Sequence, residues 1–209
     1  MVKIELNKKL EVGGSLKPIS FQVSLASNAI LGISGPSGCG KTSILKLIAG
    51  LMPADELVVE LNGRIIRDAK QGLDCPLYEQ SISMLFQSVE LLPHLSVEEH
   101  VKWINPSEPG KSLEASLKTL GLLELSKQKP NRLSGGQQQR LGLLMCLLTQ
   151  PELLLLDEPF SAQDENNRQA MLKLIQVFQE RKPFPVILVS HQQEWLSKNC
   201  SSIQQLDPL

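Results

Sequence analysis

The sequence lacks several features that would have decided its class at once. It has no excess of either charge: Lys plus Arg is 21 and Asp plus Glu is 22 over 209 residues. A balanced chain gives no footing for non-specific nucleic-acid binding, and no nucleic-acid partner is expected. It has four cysteines, Cys39, Cys75, Cys146 and Cys200, scattered and without a C-x-x-C pair. That argues against a zinc site and for a reducing compartment. It has no long apolar run. The longest are Leu141 to Leu148, broken by Gly142, and Leu153 to Leu156. Crossing a bilayer takes about 20 apolar residues, so membrane association is expected only through a partner. The first residues alternate apolar and charged side chains and do not read as a signal peptide. No internal repeat or low-complexity tract is present. The length suffices for one large α/β domain or two small lobes, with a core that needs no disulfide or metal.

What is present is organised around Gly35-Pro36-Ser37-Gly38-Cys39-Gly40-Lys41-Thr42. The spacing fits the phosphate-binding loop G-x-x-x-x-G-K-[ST]. The apolar run 29–34 precedes it at strand length. After it, Ile44, Leu45, Leu47, Ile48 and Leu51 recur at helical spacing. Glycines let backbone N–H groups approach phosphate oxygens, and the following helix points its positive end at the same anion. Lys41 supplies a cation for the β- and γ-phosphates and Thr42 a hydroxyl for Mg²⁺.

Alternation predicts strands at 2–6 and 19–25, and 57–61 with 64–66 predict a hairpin around Asn62-Gly63. Residues 67–80 read as a surface loop. A strand is expected at 82–86. Prolines then punctuate short helical patterns at 96–104 and 112–125, marking an inserted lobe over 88–132. Beyond it come a buried helix at 141–148 and a buried strand at 153–156. A helix with core face Met171, Leu174, Ile175 and Phe178 follows, then a strand at 186–189, a helix at 192–199 and an edge strand at 202–206. Buried strands alternating with helices imply a mostly parallel sheet with ligands at its carboxyl ends. Gly35 to Thr42, Gln87, Asp157-Glu158 and His191 all follow such strands.

Carboxylates at the end of a buried strand are costly unless a cation faces them. Asp157 fits an acid that holds Mg²⁺, directly or through water. Glu158 fits a base that polarises an attacking water. Leu133-Ser134-Gly135-Gly136-Gln137 is a second Gly-rich turn heading a helix. One nucleotide rarely needs two such turns, so the second suits the nucleotide of another copy.

With these motifs in this order, the chain resembles the ATP-binding subunit of an ABC transporter over essentially its whole length. Gly35 to Thr42 matches Walker A, and Leu153 to Glu158 matches Walker B. Ser134-Gly135-Gly136-Gln137 matches the signature and Ser161-Ala162-Gln163-Asp164 the D-loop, with Gln163 in place of the usual Leu, a departure expected to loosen D-loop packing across a dimer. The resemblance implies a P-loop ABC ATPase fold with an N-terminal antiparallel part and an inserted helical subdomain at 88–132, continuing to about 150. It implies ATP and Mg²⁺, with Thr42, Gln87 and Asp157 as metal ligands. Ser43 and the whole of Gly35 to Thr42 would contact the nucleotide. So would Ser134 to Gln137 and Asp164 of a second copy in a head-to-tail dimer. Glu158, His191 and Gln87 are the catalytic candidates.

The implied partners are that second copy, separate permease subunits and a substrate-binding protein, at the cytoplasmic face of the membrane. Import is the favoured direction, with a weak similarity to molybdate-type importers. The alternatives are an export or extraction complex and a mechanical ATPase not linked to transport. The chain departs from the family in having no aromatic in residues 1–20. Leu10, Glu11 and Val12 lie where adenine usually stacks. It is also short after His191, which leaves no C-terminal regulatory domain in the reading. Cys39, inside the loop, is a candidate for oxidation or alkylation that blocks nucleotide binding. Tyr78, Trp103, Trp195, His94 and His100 are given exposed or packing roles.

Overall fold

The alternation near the N-terminus becomes a long hairpin. The structure is a computed structural model describing residues 1–12 and 15–207; the side chains of residues 10–17 lie outside the description. Strands β1 (Val2–Val12) and β2 (Ser15–Leu25) pair antiparallel along their whole length, well beyond the expected 2–6 and 19–25. Among the described residues β2 is an edge strand, bonded only to β1. An edge strand tolerates Pro18, whose ring removes a ladder donor. β4 (Glu56–Leu61) and β5 (Arg64–Asp68) form the expected hairpin. Asn62 and Gly63 have φ of 51° and 82°, both in the left-handed region that two-residue hairpin turns require.

The chain divides into two compact units. The first holds Met1–Met84, Glu152–Glu158 and Phe184–Leu209. Its antiparallel sheet runs β2-β1-β4-β5-β6, with β6 at Leu73–Asp74. Its second sheet runs β10-β3-β9-β8-β7. Here β3 is Ile30–Ser34, β7 Ile82–Leu85, β8 Leu153–Asp157, β9 Val186–Val189 and β10 Ser202–Gln205. The pairs β10–β3, β3–β9 and β9–β8 are parallel, as the alternation predicted. Every residue of β3, β8 and β9 is buried. That is why these strands read as unbroken apolar runs and not as alternation. The core joins both sheets to helix α1 (Lys41–Ile48) through Ile33, Leu45, Val59, Leu155 and Ile187.

Helix α1 stops one turn before Leu51. Gly50 takes φ 80°, its N–H donates to Leu47 O, and Leu51 N–H donates to Lys46 O. This is a Schellman ending, and it leaves Leu51 exposed rather than on the core face its spacing suggested. The region 67–80 also departs from a plain surface loop. Arg67, Asp68 and Gln80 are buried: the Arg67 guanidinium reaches Leu47 O at 3.0 Å and Asp74 at 2.8 Å, Asp68 Oδ1 accepts from Lys70 N and Gln71 N, and Gln80 Nε2 donates to Cys75 O.

The second unit holds Leu85–Pro151 and Pro159–Pro183. Its helices are α2 (Val97–Ile104), α3 (Gly110–Thr119), α4 (Gly135–Leu148) and α5 (Glu165–Arg181). α3 ends before the expected 125, since Gly121 turns left-handed at φ 64° and a 3₁₀ turn covers Leu123–Leu125. α2 packs on α4, and α5 packs on both α3 and α4. The buried face of α5 includes Met171, Leu174, Ile175 and Phe178 as read from their spacing. α4 is buried on nearly all sides. A Cβ on its Gly142 would stand 2.8 Å from Leu85 and 2.9 Å from Val89, so only glycine admits that packing.

Candidate functional site

Three neighbouring parallel strands deliver the chemistry of the first unit to one edge of their sheet. Ile33 and Asp157 both pair with Val189, so the residues that follow β3, β9 and β8 leave the sheet side by side. After β3 the chain turns through Gly35 into the loop. A Cβ on Gly35 would lie 2.8 Å from Cys39 Sγ and 2.8 Å from Leu206 O, a space only glycine fits. Gly40 caps α1 in the left-handed region at φ 89° and so aims the helix N-terminus back at the loop. Pro36, Ser37 and Gly38 form the exposed rim, while Cys39 is 2% exposed. The folded loop therefore shields the thiol that was read as a target for alkylation.

Lys41 Nζ donates to Gly35 O and Pro36 O, each at 2.8 Å. The ammonium thus lies across the loop it closes. Next to it the Thr42 hydroxyl donates to Asp157 Oδ1 at 3.1 Å. Asp157 is 3% exposed. Burial raises its carboxyl above the ordinary aspartate range, opposed by the Thr42 bond and by the charges of Lys46 and Lys41. The paired oxygens of Thr42 and Asp157 are a hard donor set. They suit Mg²⁺, which takes one or two protein oxygens and fills its octahedron from phosphate and water. Ser43 follows, half-buried on α1.

Glu158 has φ 49°, an outlier for a residue with a side chain. Its N–H continues the ladder to Val189 O at 3.1 Å. The carboxylate then meets His191 Nδ1 at 3.0 Å, with the His191 ring largely exposed. Five of the expected residues, Lys41, Thr42, Asp157, Glu158 and His191, are thereby gathered in one unit.

The loop residues 35–40 and Ser43 lie in that unit too, whereas Gln87, Ser134 to Gln137 and Asp164 belong to the second unit. Gln87 is exposed just after β7. Ser134 caps α4 in a capping box: its hydroxyl accepts from Gln137 N, and Gln137 Oε1 accepts from Ser134 N at 2.8 Å. Both side chains are held by their own helix, with the N-terminal Gly135 and Gly136 exposed and half-buried. Leu133 is buried and anchors the turn, as its apolarity suggested. Asp164 caps α5, accepting from Asn167 N at 2.8 Å and from Asn167 Nδ2 at 3.0 Å. Gln163 is buried, and its amide donates to Gly136 O at 2.9 Å. Motif reading gave Gln163 only as a departure. The capping roles were legible from the residue types, but the Gln163 contact had no local signal. The adenine-side residues Leu10, Glu11 and Val12 belong to β1, and their side chains are outside the described residues. Among the described residues no helix is long and apolar enough to cross a membrane.

Comparison with known proteins matches residues 16–161 to the family described as ABC transporter. The chain is 31% identical to the molybdenum import ATP-binding protein ModC of Mesorhizobium japonicum over 206 residues, covering 96% of this chain and 56% of that protein. It is 36% identical to the spermidine/putrescine import ATP-binding protein PotA of Mannheimia succiniciproducens over 182 residues, covering 84% and 47%. The chain spans about half the length of the curated relatives it matches. Among solved structures, the dimeric bacterial ABC transporter cassette MJ0796 superposes with a TM-score of 0.78 at 24% identity, covering 99% of this chain and 94% of that one. The architecture expected from the motifs is therefore the one observed, and the chain belongs to the ABC transporter family.

Proposed function

We propose that this chain is the ATP-hydrolysing subunit of an importer, coupling ATP binding and hydrolysis in a head-to-tail dimer to separate permease subunits. Residues 1–209 act as one ABC ATPase domain with 88–132 as its helical subdomain, at the cytoplasmic face of the membrane. A substrate-binding protein completes the assembly. The observation that carries the reading is the row of strand ends with Lys41 over the loop, Thr42 on Asp157, and Glu158 on His191. Import is favoured because the relatives named above are a molybdenum and a spermidine/putrescine import ATP-binding protein.

In this reading the N–H groups of Gly35 to Thr42 bind the phosphates of ATP, and Ser43 adds a contact to the α-phosphate. Lys41 leaves the carbonyls of Gly35 and Pro36 for the β- and γ-phosphates. Thr42 and Asp157 and, as the resemblance implies, Gln87 would hold Mg²⁺, which would supply charge neutralisation at the phosphates. Glu158 orients and polarises the attacking water, and His191 holds the Glu158 carboxylate and reaches toward the γ-phosphate. Ser134 to Gln137 and Asp164 of the second copy complete the site and exclude bulk water.

Glu158→Gln keeps the shape and removes the base. Its ATPase rate is expected to fall by about 100-fold or more, with ATP binding retained. Tagged Glu158→Gln protein, held with ATP and Mg²⁺, should co-purify a stoichiometric multi-span membrane protein from gently solubilised membranes. Wild-type turnover in Glu158→Gln would overturn the catalytic assignment. Recovery of soluble partners or ribosomes alone would overturn the transport assignment.

A further inference from the structure

The second unit holds a polar network that no motif predicts. Gln163 is 6% exposed, although it lies in the exposed stretch Ser161 to Asp164. Its Nε2 donates to Gly136 O at 2.9 Å across 27 residues of sequence. Its own carbonyl accepts from Arg168 Nε at 3.0 Å. Gly136 is shaped for this approach: a Cβ there would stand 2.9 Å from Ala162 O and 3.1 Å from Gln163 Nε2. A second strut runs parallel. Arg140 Nη1 donates to Asn167 Oδ1 and to Leu120 O, each at 2.7 Å. Asn167 in turn serves Asp164 through the cap of α5.

We infer that Gln163 is a positioning residue that ties the segment Ser161–Asp164 to the turn Ser134–Gln137, so that both face a second copy's nucleotide as one preformed surface. The inference rests on the proposed head-to-tail ATPase. An aliphatic residue at 163 fills the same space but offers Gly136 O no donor, and the two segments are then joined by packing and the Arg140–Asn167 strut without a direct bond between them. Gly136 is half-buried and its carbonyl also accepts from Arg140 Nε at 3.4 Å, so the Gln163 amide adds a second side-chain donor from the D-loop side, and its loss costs that one bond. Preformed geometry lowers the ordering cost of closure. The consequence is carried by the ATP concentration that drives closure and not by the affinity of one chain for ATP.

The test uses the full chain and Gln163→Met, which keeps length and apolar packing and removes the donor. Loss of one hydrogen bond predicts about fivefold faster amide exchange at Gln137 and Gln138. It also predicts about a fivefold rise in the ATP concentration for half-maximal hydrolysis, with kcat nearly kept. ATP affinity, measured at chain concentrations too low for dimers, should stay within about twofold. Gln163→Glu, which keeps the length and places a carboxylate against Gly136 O, should show the same pattern more strongly. It serves as the second variant if Gln163→Met folds poorly. Wild-type exchange and wild-type half-saturation in a folded variant overturn the inference while leaving the ATPase reading intact. A wild-type chain that does not hydrolyse ATP overturns the ATPase reading, and the exchange measurement still decides whether Gln163 holds the turn.

Discussion

At the scale of single residues, the site places function and stability in opposition. Asp157 is buried at the end of β8, and burial raises its carboxyl above the ordinary range. The folded chain then binds the proton more readily than the unfolded one. By linkage, stability falls as pH rises from the ordinary aspartate value through the raised one, and the ionised group remains a liability at neutral pH. Asp157→Asn removes that charge and keeps an oxygen for the Thr42 hydroxyl. The nucleotide-free variant is therefore expected to melt higher than wild type at pH 7. The gain should shrink as pH falls through the raised value toward the ordinary aspartate range and be gone below it. Thermal melts across that window check the sign, and a variant that melts lower at pH 7 would contradict it. The same substitution should weaken Mg²⁺-dependent ATP binding. A group that destabilises its own fold is expected where the charge awaits a ligand.

At the scale of elements, the helices of the second unit depend on their first turns. Ser96 and Glu99 form a capping box on α2, and His100 ties that turn to the preceding chain. The ring is fully buried, accepts from Leu92 N at 2.9 Å and lies 2.8 Å from Ser96 O. His100 is thus a structural residue, in line with the packing role assigned to it. Replacing it by Leu leaves the Leu92 amide without its acceptor and should cost about 2 kcal/mol. Denaturant titration checks this, and ATP affinity in the first unit should be unaffected.

The elements also show what was legible. The buried runs 153–156 and 186–189 and the loop at 35–42 could be placed because strand burial, glycine spacing and polar strand ends are local signals. The side chains that turn inward from apparent loops could not. Arg67 is buried because it finds Leu47 O, and Gln163 because it finds Gly136 O. Both partners are set by tertiary packing, which residue spacing does not encode. The same holds for Leu51, where the αL turn at Gly50 overrode a helical period.

At the scale of the whole molecule, the chain carries two Gly-rich turns at helix N-termini, one in each compact unit, both proposed to meet phosphate. The loop Gly35 to Thr42 has the lysine, the hydroxyl and the carboxylate that a nucleotide with Mg²⁺ needs. The turn Ser134 to Gln137 has a helix N-terminus whose Ser and Gln side chains are committed to capping, and no cation of its own in that motif. It is suited to complete a site and not to hold a nucleotide alone. Two copies arranged head to tail satisfy both turns with two nucleotides. The expectation is that Glu158→Gln protein is monomeric without nucleotide and doubles its mass on sedimentation when ATP and Mg²⁺ are added. Adding Lys41→Ala to that background removes the cation proposed to meet the β- and γ-phosphates, and should return the chain to monomer at the same ATP concentration. Salt should act on the step as well, because the charges that meet across bound phosphate are partly screened. A chain that binds ATP tightly through Gly35 to Thr42 yet stays monomeric at every concentration would remove the second turn from the site. Ser134 to Gln137 would then be only the cap of α4.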